Sequence, residues 1–169
     1  AEGFSISPFS LPLVKKVFLP KMDPFDGIFG VFADSLPDGW GRLLVDRFML
    51  ENHINPHQVG NLNRLALVGT SGMGALTYQP DYAMEDAGSF ASLDKIAEEC
   101  GKILGEKDCQ KLDALVALGG SSGGARPKIL TQVDGEAWLI KFPASGDGAM
   151  AAVQEYEYAL CARECGISM

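Results

Sequence analysis

The stretch Leu118–Lys128, LGGSSGGARPK, decides how the rest of the chain is read. Its four glycines and two serines lie between an apolar helical run ending at Leu118 and a β-like run beginning at Ile129. Neither helix nor strand favours that composition, because glycine loses the most backbone freedom on ordering. A Gly-rich turn feeding a strand, with a cation just beyond it, suits backbone N–H groups that converge on a phosphate. Two known phosphate-loop patterns nevertheless fail letter by letter. A Walker A loop requires Gly-Lys-Ser/Thr after its gap; counted from Gly119, Gly124 fits and Ala125-Arg126 does not. The alternating glycines of protein kinases are broken at Ser121. From the loop alone, a phosphate cradle and an ordinary turn both stay open, since Gly and Ser clusters commonly mark loops.

The residues that follow narrow the choice. Pro127–Gln132 reads as a strand, Val133-Asp134-Gly135-Glu136 as a hairpin turn with the Asp-Gly signal, and Ala137–Phe142 as the returning strand. Lys141 sits inside that second strand, in WLIKF. A lysine within an apolar strand is costly unless an anion partners it; the plain alternative is an edge lysine that snorkels and deters aggregation. A helix over about Ala149–Cys165 follows, closed by Gly166 in the usual position past a helix end. Helical spacing puts Ala152, Tyr156, Ala159 and Leu160 on its apolar face, with Glu155 flanking that face and Glu157 further round. Loop, strand, turn, strand with lysine and helix with glutamate is the order of a kinase small lobe.

These blocks carry a family resemblance. GGSSGGARPKIL (119–130), WLIKFP (138–143) and QEYEYALCARECGI (154–167) closely resemble the HipA-like serine/threonine kinases, the toxins of bacterial toxin–antitoxin pairs. Upstream, FADSLPDGWGRLLVDRF (32–48) and LALVGTSGMGALTYQP (65–80) resemble the same family's N-terminal subdomain. The fold class implied is α+β. A partial HipA-like N-terminal subdomain of helices and strands is expected over residues 1–85. The start of a kinase small lobe, with Gly-rich loop, antiparallel strands and helix, is expected over residues 86–169. The resemblance implies that the backbone N–H groups of Ser122, Gly123, Gly124 and Ala125 bind ATP phosphates. Arg126, Lys128 and Lys141 are the accompanying cations, and Glu155 is the ion-pair partner that holds Lys141. At a strand start, Lys128 also fits a merely solvated lysine. Ser121, and less directly Ser122, match the family's autophosphorylation position; a phosphate there adds up to two negative charges where those of ATP should sit.

Before the loop, organisation is coarser. Residues 1–21, with Pro8, Pro12 and Pro20, read as an irregular lead-in, and Gly27–Ala33 as a short apolar segment. The turn Leu36-Pro37-Asp38-Gly39 leads into a helix through about Glu51, with Trp40, Leu43, Leu44, Arg47 and Phe48 at helical spacing. LPDGWGR reads as a turn and helix start, and by resemblance as structural or regulatory. Asn55-Pro56 predicts a helix start, with Asn as cap and Pro in the first turn, running to about Val68. Gly72-Met73-Gly74 reads as a turn into a strand over Ala75–Gln79. Residues 81–91 are a polar connection and the expected boundary. Ser92 is expected to cap a helix carrying Leu93, Ile96, Ala97, Cys100, Ile103 and Leu104, ending at Gly105; a second helix over about Lys107–Leu118 delivers the chain to the loop.

Composition excludes several classes. A net charge of −8 and a pI near 4.7 argue against a broad nucleic-acid footprint, which requires clustered positive charge. No apolar run reaches the ~18 residues of a membrane span, and nothing resembles a signal peptide, so a cytoplasmic location is expected. Cys100, Cys109, Cys161 and Cys165 show no zinc-finger spacing and read as small buried thiols. His53 and His57 are four apart, but Pro56 interrupts a shared turn, so no metal site is assigned.

Kinase chemistry also needs a catalytic aspartate, an asparagine and a metal-binding aspartate, which the family places well after Glu155. The catalytic residues, and the ligands of Mg2+, are therefore expected beyond Met169, and the chain is expected to be a fragment that is inactive alone. The whole protein is expected to be an ATP-dependent serine/threonine kinase whose protein substrate is of the aminoacyl-tRNA synthetase class, with a small DNA-binding antitoxin as partner. The alternative is a non-catalytic nucleotide- or partner-binding module or split subunit.

Overall fold

Residues 3–82 and 92–168 are described by a computed structural model of the chain. It has α+β architecture: helices and a two-stranded antiparallel sheet. Helix α1 (Gly30–Ala33) is a single turn, and α2 (Gly39–Glu51) begins directly after the LPD turn. A 3-10 turn over Pro56–Gln58 precedes α3 (Asn61–Val68). Beyond the polar connection come α4 (Leu93–Leu104) and α5 (Leu112–Gly119), then strands β1 (Lys128–Val133) and β2 (Glu136–Lys141), and finally α6 (Ala151–Glu164).

Local chemistry explains most of these boundaries. The Ser92 hydroxyl accepts the Lys95 N–H at 3.4 Å and caps α4, satisfying one of the donors that a helix start leaves open. The hairpin turn sits at Asp134 and Gly135, both at positive φ (52° and 82°), as a two-residue hairpin of this kind requires. Its register pairs Lys128 with Lys141, Ile129 with Ile140 and Leu130 with Leu139. Gly166 closes α6 at φ 78°.

Trp40 and Leu44 of α2 pack with Ile96, Cys100 and Ile103 of α4, Leu112 and Leu115 of α5, Ile129 of β1, and Phe142. This core therefore draws on residues from both sides of the expected division at 85/86. Arg47 adds a polar tie, donating to the carbonyls of Ile103 (3.1 Å) and Lys107 (2.7 Å). The connection at 81–91 falls mostly outside the described residues.

Several expectations are corrected. The helix foreseen from Asn55 is broken: Asn55 does accept the His57 N–H at 3.0 Å, but only a 3-10 turn follows, and α3 starts afresh after Gly60. The strand foreseen at Ala75–Gln79 does not form. Tyr78 donates its N–H to Gly69 O at the end of α3 and its hydroxyl to Ser35 Oγ just after α1, and no described strand lies beside it. The helix before the loop starts at Leu112, not Lys107. On α2, Val45 and Met49 are buried while Leu43 is exposed. Most of the apolar face foreseen on α6 is open to solvent: Ala152, Tyr156 and Leu160 are exposed, and Ala159 is half-buried. Cys161 and Cys165 are exposed as well, whereas Cys100 is buried.

Candidate functional site

The glycine loop bridges α5 to β1, and both ends are fixed by the core. Leu115 and Ile129 are fully buried on either side of it, and Pro127 is buried with them. Between these anchors the loop turns on Ser122. This side chain is only 2% exposed, and both its hydroxyl and its N–H bond to the Gly119 carbonyl, at 2.6 and 3.0 Å. Gly124 has φ 76°, a value that glycine adopts without strain.

On one side the loop lies against the start of α2. The Gly124 N–H donates to Asp38 Oδ1, the Trp40 N–H donates to Gly124 O at 2.8 Å, and the Trp40 indole N–H donates to Lys128 O at 3.1 Å. The close approach depends on Gly41, where a Cβ would fall 2.8 Å from Gly120 O. Of the four amides expected to meet a phosphate, those of Ser122 and Gly124 are thus already bonded within the protein.

On the other side lie the charges. Direct pairing of Lys128 with Lys141 puts two cations on one face of the hairpin, an unfavourable arrangement unless each finds an acceptor. Each does. Lys128 Nζ folds back onto the Gly123 carbonyl, and Lys141 Nζ donates to Glu155 Oε1. Glu155 also accepts from Arg126 at 3.2 Å, and Arg126 reaches Asp147 at 2.8 Å. Asp147 in turn accepts the Ala144 N–H at 2.8 Å. The Lys141 hydrogen bond first, and its charge next, hold the Glu155 carboxyl below the ordinary glutamate value. The Ala144 N–H does the same for Asp147, with Arg126 adding to it.

Of the cavities beside the loop, two have charged linings. A large open one of about 850 Å³ lies on the α2 side, lined by Asp38, Arg42, His57, Arg64, Ser121 and Gly123. A smaller one of about 190 Å³ is lined by Arg126, Lys141, Phe142, Asp147, Ala152 and Glu155. The foreseen site residues accordingly divide. Arg126, Lys141 and Glu155 share one ionic cluster; Ser122 and Lys128 bond within the loop; Ser121 faces the larger cavity. Two of the three foreseen cations, Arg126 and Lys141, thus meet at Glu155 beside the loop, while Lys128 is bonded to the Gly123 carbonyl. Among the described residues, no group of three or more His, Cys, Asp or Glu is arranged to hold a metal ion. Sequence reasoning passed over Asp38 and Asp147. Asp147 had a local signal, an acidic residue in Ser-Gly-Asp-Gly between strand and helix.

Among the described residues, no helix is long and apolar enough to cross a membrane. Residues 1–79 match the family model of the HipA N-terminal domain, so this part of the chain is HipA-like. No curated protein and no solved structure matches the chain.

Proposed function

We propose that this chain, HipA-like over residues 1–79, belongs to an ATP-dependent serine/threonine protein kinase of a toxin–antitoxin pair and carries part of its nucleotide site. The observation that carries the reading is the Lys141–Glu155 ion pair beside a glycine loop. A strand lysine and a helix glutamate joined in this way are the parts that hold nucleotide phosphates in kinases. ATP supplies the phosphoryl group. Lys141 and Arg126 meet its phosphate oxygens, and Glu155 keeps the Lys141 ammonium in place. Gly123, Gly124 and Ala125 offer backbone N–H groups, with Ser122 and Lys128 shaping the loop from within. Mg2+ enters as the counter-ion of the nucleotide.

Ser121 is the proposed autophosphorylation residue, ahead of Ser122. Burial of Ser122 against Gly119 supports that order, because a kinase must reach the hydroxyl it modifies. The proposed substrate is a cytoplasmic protein of the aminoacyl-tRNA synthetase class, and the proposed partner a small DNA-binding antitoxin. The test is calorimetric titration with ATP and Mg2+. Binding to the chain that is lost in Lys141→Met supports the reading. Binding unaffected by Lys141→Met favours a module that holds nucleotide elsewhere.

A further inference from the structure

The Gly124 peptide is gripped from both ends by residues two apart in sequence. Its N–H donates to Asp38 Oδ1, and its carbonyl accepts the Trp40 N–H at 2.8 Å. Gly39, between them, has φ 44°, and a Cβ there would sit 2.9 Å from Ala125 N and press on the Gly124 carbonyl. Gly123 leaves only 2.9 Å between its own Cβ position and Asp38 Oδ1. The turn and the loop therefore fit closely, through glycines on both partners. An anionic oxygen accepting a loop N–H is what a phosphate would offer in the same place.

We infer that the Asp38-Gly39-Trp40-Gly41 turn is an autoinhibitory contact, in which Asp38 serves as an internal anion that must release the Gly124 amide before a nucleotide phosphate can take it. The inference rests on the nucleotide-binding reading above. Two physical effects act together. A ligand that binds only the released loop has its affinity reduced by the fraction of molecules released. The carboxylate also repels an incoming phosphate of the same sign. Release lengthens no covalent path and breaks few contacts, because Asp38 is exposed while Trp40 stays buried as the pivot. The HipA-like segment would in this way set the nucleotide affinity of the loop.

Asp38→Asn keeps the shape and removes the charge, and Asp38→Ala removes the acceptor. ATP with Mg2+ is titrated into the chain and into both variants, and exchange of the Gly124 amide with solvent is followed by NMR. Loss of one charge-assisted hydrogen bond is expected to tighten ATP binding by about tenfold and to speed Gly124 exchange by a similar factor. Measurable binding that is unchanged or weaker in both variants overturns autoinhibition and leaves the nucleotide reading intact. Faster exchange with no ATP binding in any form overturns both. Unchanged Gly124 exchange in Asp38→Ala overturns the contact itself.

Discussion

The glycine loop is held on its two sides by opposite means. Toward α2 it is fixed by packing: Trp40 is 1% exposed, its indole donates to a buried carbonyl, and glycines allow backbone to lie on backbone. Toward α6 it faces a charge network that is open to water at Lys141 and Glu155, whose side chains are 45% and 48% exposed, and more sheltered at Asp147. Buried contacts gain from exclusion of water and cannot be exchanged piecemeal, whereas exposed ion pairs are screened and contribute little to stability. The loop should therefore owe its position to α2 and its electrostatics to α6. Variants on the two sides should separate folding from binding.

The largest effect is expected at the pivot. Trp40→Ala removes a buried indole, and truncations of this kind cost about 3–5 kcal/mol. It also orphans the Lys128 carbonyl that the indole serves. Urea denaturation should show the midpoint falling sharply, with Trp40→Phe much milder. A Trp40→Ala chain as stable as wild type would break the comparison on its packed side.

Next comes Gly41→Ala, where the added Cβ meets the Ser122 and Gly120 carbonyls. Overpacking against backbone costs about 1–3 kcal/mol, and here the loop must shift to accommodate it. Denaturation and the amide chemical shifts of residues 120–124 report the two consequences together. Arg47→Met should follow, at about 1 kcal/mol, because it removes donors from the carbonyls of Ile103 and Lys107 at the end of α4, one of them at an exposed site.

These contrasts show what was legible in the chain and what was not. The hairpin with its Asp134-Gly135 turn and the Ser92 cap could be read because each depends on residues a few positions apart. The pairing of Lys141 with Glu155 followed from strand and helix, 14 residues apart. Asp38 lies 86 residues from Gly124, and no local pattern brings them together; LPDGWGR shows only a turn and a helix start. The segment 75–79 has strand composition, but among the described residues no strand pairs with it to complete a ladder. On α6, helical spacing identified an apolar face correctly as a pattern, but spacing says nothing of what covers it, and Tyr156 and Leu160 are exposed.

The smallest effect belongs to the exposed side and concerns pH. Glu155 titrates below the ordinary glutamate value of 4.5, chiefly through the Lys141 hydrogen bond, then through the Lys141 charge, with Arg126 contributing less. A carboxyl depressed on folding stabilises the fold fully above its unfolded value, and that contribution fades as pH falls through the folded one. The window therefore lies at and below about pH 4.5, on the acid side only. NMR titration of the Glu155 carboxyl carbon should show it moving back toward the unfolded value in Lys141→Met, and by less in Arg126→Met. Added salt should act in the same direction, because both partners face water. The unfolding midpoint at neutral pH should scarcely change in either variant. A large loss of stability in Lys141→Met would mean that the charge network, and not α2 alone, holds the loop in place.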